Sequence, residues 1–142
     1  MPSELTVRAV HQEGMRMVAT AGCHSLTMDY PLTGEQGAGM KPLEVLLSSL
    51  AACGGSTVAL LLQRMKQPVG GVEVIAHATR RDEHPTVLTA ISLEFVISGA
   101  EVEPAAVERI IARADEQLCP VWAMLKTGTP IRTSYRIIAA AR

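Results

Sequence analysis

Aromatic residues are scarce: Tyr30, Phe95, Trp122 and Tyr135 make up 3% of the 142 residues. So few rings cannot form the successive stacking platforms that hold single-stranded nucleic acid. Charge of one sign is also lacking. Thirteen Lys and Arg against fourteen Asp and Glu give a net charge of −1, which draws the chain neither to phosphate backbones nor to anionic lipid. Metal-ligand spacing is missing, because His11, His24, His77 and His84 never recur as HxxxH and no CxxC occurs. There is no GxSxG elbow for a serine nucleophile. Met1-Pro2-Ser3-Glu4 is not a basic region followed by an apolar run, so a cytoplasmic protein is expected. In that compartment the three cysteines, an odd number without a disulfide framework, start as thiols.

Apolar residues are plentiful at 48%, enough for one hydrophobic core, and residues 1–142 are expected to form a single domain with apolar surface left over for a second subunit. Val45 to Leu62 carries no formal charge over 18 residues, the length of a minimal membrane span. Its four hydroxyl residues, its Gly54-Gly55 pair and the absence of flanking aromatic anchors point instead to a buried helix and no membrane association.

Three short β-compatible runs, Thr6–His11, Met15–Thr20 and His24–Tyr30, are separated by Gln12-Glu13-Gly14 and by Gly22 and read as a meander. Pro31–Pro42 encloses Gly34, Gly37 and Gly39 between two prolines and reads as a loop. It is not a phosphate loop: Met40 separates Gly39 from Lys41, and Pro42 stands where a hydroxyl is needed. Leu43–Lys66 has helical periodicity with a weak point at Gly54-Gly55. Val72–Thr79 and Val87–Ile97 read as a hairpin around Asp82-Glu83-His84-Pro85, and Pro104 opens a second helix that must kink or restart at Pro120. After Gly128, alternation of Ile131, Thr133, Tyr135 and Ile137 marks a last strand. The order βββ-α-ββ-α-β predicts an α+β fold of antiparallel strands with two principal helices.

Sulfur is what remains for chemistry. A buried cysteine taken alone is usually an inert small hydrophobe. Cys53 and Cys119, however, lie on the two main helices, each beside a helix disturbance, and packed helices can bring two thiols together. One would have to be a thiolate that a nearby cation stabilises, and its sulfenic acid could then condense with the other.

The run Lys41-Pro42-Leu43-Glu44-Val45-Leu46-Leu47-Ser48-Ser49-Leu50-Ala51-Ala52-Cys53, with Leu118-Cys119-Pro120-Val121, resembles the OsmC/Ohr family, nearest its YhfA-like branch. The preceding Gly-rich loop, the Gly22–Asp29 strand and Arg80–Gly99 extend the resemblance over nearly the whole chain. It implies an intertwined homodimer with sites at the subunit interface and cofactor-free, metal-free, thiol-dependent reduction of organic hydroperoxides. It further implies Cys53 as the attacking residue, Cys119 as the resolving one, and an external dithiol of lipoyl type as reductant. Cys23 has no counterpart in that pair.

The resemblance also implies an arginine from the meander, for which Arg16 and Arg8 are both candidates, and an acid directly after the helix-opening proline. Here Leu43 occupies that position and Glu44 follows. One residue turns a helix by about 100°, so Glu44 is open to two readings, a catalytic acid or a first-turn acid that favours the helix dipole. That departure keeps a second function in view, an OsmC-fold protein that binds a small apolar ligand with little or no turnover.

Overall fold

The computed structural model describes residues 2–139, which form two compact units, the first ending at Leu46 and the second beginning at Leu47. The first unit is an antiparallel meander of β1 (Arg8–His11), β2 (Met17–Ala21) and β3 (His24–Met28). Ala21 pairs with His24, leaving Gly22-Cys23 as a two-residue turn in which Gly22 takes φ +60°, as short hairpins of this type require. The Gly-rich loop then returns beside β3 through a parallel bridge between Met28 and Met40. Gly39 permits this approach, since a β-carbon there would lie 2.1 Å from the Thr27 carbonyl oxygen.

Helix α1 (Pro42–Arg64) is long and apolar enough to cross a membrane by length and composition. Its residues Leu50, Gly54, Val58, Leu61 and Leu62 are instead buried, and all but the glycine belong to the hydrophobic core of the second unit. The weak point expected at Gly54-Gly55 does not interrupt it. Gly55 serves packing, since a β-carbon on it would come 2.9 Å from Val74 Cγ2, whereas one on Gly54 would sit 3.7 Å from Phe95, an ordinary contact.

The second unit holds a sheet of β4 (Gly71–Arg80), β5 (Leu88–Ser98) and β6 (Ile131–Ile138), with β5 in the middle. β4 and β5 are the expected antiparallel hairpin, with a register shift at Thr79/Arg80. β6 pairs with β5 in parallel, so this sheet is mixed where antiparallel strands were expected. Parallel pairing needs a long crossover, and the helical segment between β5 and β6 supplies it. That segment is α2 (Pro104–Arg113), a π turn (Ala114–Leu118) and α3 (Pro120–Leu125). The restart predicted at Pro120 occurs there, and Ile91, Leu93, Phe95, Ile97, Val107, Ile110 and Trp122 are among the residues that join α1 in the core. Fully burying one such side chain stabilises by about 1.5–3 kcal/mol.

Candidate functional site

Two local features place Cys119. The π turn closes with the Cys119 N–H donating to the Ala114 carbonyl at 3.0 Å, and Pro120, which has no N–H, begins α3. π turns of this kind are frequent at functional sites. Cys119 thereby leaves the helical conformation, with φ −91° and ψ 106°, and caps α3. Its side chain is buried beside Trp122, whose ring stacks on Phe95 with centroids 6.2 Å apart.

Cys53 reaches the same place from the middle of α1. Its sulfur lies 2.9 Å from that of Cys119, which donates its S–H to it. Both are free thiols, Cys119 buried and Cys53 half-buried. Burial, reinforced by the hydrogen bond and negative charge of Cys53, pushes the Cys119 thiol up to about 11, against an opposing pull from the Trp122 and Val121 backbone. Cys119 is therefore a protonated donor at neutral pH, while Cys53 accepts. The Cys53 carbonyl also accepts hydrogen bonds from Thr57 Oγ1 at 2.8 Å and Ser56 Oγ at 3.1 Å. Forming a disulfide from this arrangement requires the sulfurs to close by only about 0.9 Å.

In the first unit, Arg16 is held between two acids, with Nε 3.7 Å from Asp29 Oδ2 and a terminal nitrogen 3.6 Å from Glu13. Its buried Nε has no hydrogen-bond partner. Asp29 itself is 8% exposed and accepts the Ala38 N–H at 3.0 Å, tying the Gly-rich loop to the meander. These residues line an open cleft of about 630 Å³ with Met15, Pro31 and Leu32. Arg8 lies on exposed β1 and is not among the residues lining that cleft. Glu44 Oε1 accepts the Lys41 N–H at 2.9 Å, the back half of a capping box at the start of α1. Cys23 is exposed in the β2–β3 turn. No group of His, Cys, Asp and Glu among the described residues could hold a metal ion.

Sequence reasoning brought Cys53 and Cys119 together but did not single out Asp29. The signal was the register: β2 and β3 pair Met17 with Met28, and continuing by one residue sets Arg16 opposite Asp29.

A mixed α+β architecture with two thiols on separate helical segments in contact defines a class of small cysteine-bearing proteins. The chain belongs to the OsmC-like protein family, whose family model matches residues 34–134. It is 32% identical over 130 residues to protein YhfA of Escherichia coli K12, covering 90% of this chain and 94% of that protein. Among solved structures it is similar to a hypothetical protein from Aquifex aeolicus VF5, with a TM-score of 0.87, 24% identity and 99% and 100% of the two chains covered. An organic hydroperoxide resistance protein from Elizabethkingia anophelis shares the fold, with a TM-score of 0.74, 19% identity and 97% and 100% coverage.

Proposed function

We propose that this protein is a cytoplasmic thiol-dependent peroxidase that reduces organic hydroperoxides through Cys53 and Cys119. The observation that carries the reading is the 2.9 Å contact between the two reduced sulfurs. Kinship with an organic hydroperoxide resistance protein supports the substrate class.

Cys53 attacks as thiolate on the hydroxyl-bearing oxygen of ROOH. The O–O bond breaks, the alkoxide leaves as ROH after taking a proton, and Cys53 becomes a sulfenic acid. Cys119 then attacks the Cys53 sulfur. The S–S bond forms as the S–O bond breaks, and hydroxide leaves as water with the Cys119 proton. An external dithiol, of lipoyl type by family kinship, reduces the disulfide to two thiols and is itself oxidised to a disulfide. The high thiol pKa of Cys119 suits this order, because it keeps Cys119 protonated while Cys53 reacts first.

Arg16, rather than Arg8, is the meander arginine we assign to thiolate stabilisation, because its guanidinium is incompletely satisfied and lines a cleft. Glu44 we assign to holding the start of α1 through the Lys41 N–H. A homodimer fits the first unit, where Asp29 is the only buried side chain among residues 2–46 and Val10, Leu26 and Leu32 are exposed. A three-stranded sheet needs apolar cover for stability, and a second copy supplies it.

The second reading, a binding protein for a small apolar ligand, is favoured by one observation, the use of Glu44 as a cap. Peroxide consumption with dithiol separates the two readings. Cys53→Ser is expected to abolish it, and Cys119→Ser to leave a Cys53 sulfenic acid that dimedone traps. Full consumption by Cys53→Ser excludes the proposed site, and consumption absent from the unaltered protein favours the binder.

A further inference from the structure

The second unit carries a separate slot of about 200 Å³, built by Leu61, Arg64 and Met65 of α1, Arg109, Ile110 and Arg113 of α2, and Leu118 of the π turn. Leu61 and Ile110 are buried at 7% and 2% exposure, while Met65 and Leu118 stay 38% and 42% exposed. Three arginines accompany these apolar walls, and no carboxylate lines the slot. Among the described residues, none of the three makes an ion pair or side-chain hydrogen bond.

Helix chemistry accounts for part of this charge. Arg64 and Arg113 lie in the last turns of α1 and α2, where cations complement the helix dipole. Arg109 lies a full turn earlier on the same face as Arg113, and like charges at that spacing destabilise a helix. An anion between them reverses the sign of that interaction, and guanidinium groups match the planar fork of a carboxylate. The apolar walls call for an aliphatic body behind the charge. At about 30 Å³ per water-sized group, the slot accepts roughly seven heavy atoms, the scale of a carboxylate with a short alkyl chain.

We propose that this slot is a binding site for a short-chain aliphatic carboxylate, with Arg109 and Arg113 holding the carboxylate and Leu61, Ile110 and Leu118 holding the chain. Neither cysteine lines it, so the proposal stands apart from the peroxidase reading.

The test is a titration of the reduced protein with pentanoate, followed by methyl NMR at Leu61, Ile110 and Leu118. Pentanol, which has the chain without the charge, and inorganic phosphate, which has the charge without the chain, are titrated in parallel. Pentanoate is expected to shift these methyls saturably and to bind at least tenfold more tightly than either control. The double variant Arg109→Gln, Arg113→Gln is expected to weaken pentanoate at least tenfold with its other resonances unchanged. The corresponding double lysine variant is expected to restore part of the affinity, and Cys53→Ser to bind as the unaltered protein does. No pentanoate shift, shifts confined to other methyls, equal binding of pentanol, or undiminished binding by the glutamine variant overturns the proposal.

Discussion

Gly55 lies so close to Val74 that a β-carbon on it would come within 2.9 Å of Val74 Cγ2, whereas one on neighbouring Gly54 would meet nothing nearer than 3.7 Å. The two glycines follow Cys53, but only Gly55 is needed for α1 to settle on the sheet, so they respond oppositely to the same substitution. Alanine at Gly54 gains helix propensity, about 0.5–1 kcal/mol, with ordinary contacts. Alanine at Gly55 gains the same propensity but overpacks against a branched side chain with little room to move, at about 1–3 kcal/mol. Urea unfolding is expected to show Gly54→Ala more stable and Gly55→Ala less stable than the unaltered chain. Equal shifts for both would mean that helix and sheet are not packed this closely.

Alkaline stability reports on Cys119. Its thiol is raised from an ordinary 9.0 to about 11 by burial and by Cys53. Below pH 9 the folded and unfolded chains both keep this proton. Between about 9 and 11 the unfolded chain releases it first, so the unfolded state binds fewer protons and stability falls as pH rises. The loss attributable to Cys119 is of order 1–3 kcal/mol. Under reducing conditions, the stability difference between the unaltered protein and Cys119→Ser is expected to shrink from pH 8 to pH 10.5. A constant difference would show that the thiol ionises equally in both states.

The cation assignment separates two arginines of one meander. Arg16→Met is expected to lower the peroxide rate at least tenfold, while Arg8→Met, on exposed β1, leaves it within twofold. Glu44→Gln retains an acceptor for the Lys41 N–H, so it is expected to keep the rate and lose little stability. Glu44→Ala loses the cap interaction and about 0.5–2 kcal/mol. Stopped-flow peroxide consumption and thermal unfolding of these four variants check the set. A Glu44→Gln rate reduced tenfold with unchanged stability would return Glu44 to a catalytic role.

What the chain announces locally, it announces well. Gly14 and Gly22 mark the meander turns, Pro104 opens α2, and Pro120 marks the break that frees Cys119, because each is a backbone constraint visible at a single position. The direction of β6 is not local: alternation of Ile131, Thr133, Tyr135 and Ile137 says strand, and only the path of the crossover makes it parallel to β5. Gly54-Gly55 looked like a weakness because helix propensity counts only backbone freedom, whereas close contact with Val74 gives Gly55 a packing role. Asp29 stayed hidden for a similar reason. Its partnership with Arg16 comes from strand register, which composition does not encode. The contact of Cys53 with Cys119 was legible as a possibility of helix packing, and the π turn that completes it was not, since no residue pattern in Ala114–Leu118 demands it.

The most direct test treats the fully reduced protein with one equivalent of cumene hydroperoxide, blocks remaining thiols and maps the peptides by mass spectrometry. The account predicts that Cys53 and Cys119 become joined by a disulfide in one phase, with Cys23 still alkylatable. Oxidation at Cys23 alone, or Cys53 and Cys119 both recovered as free thiols after the peroxide is consumed, would contradict it.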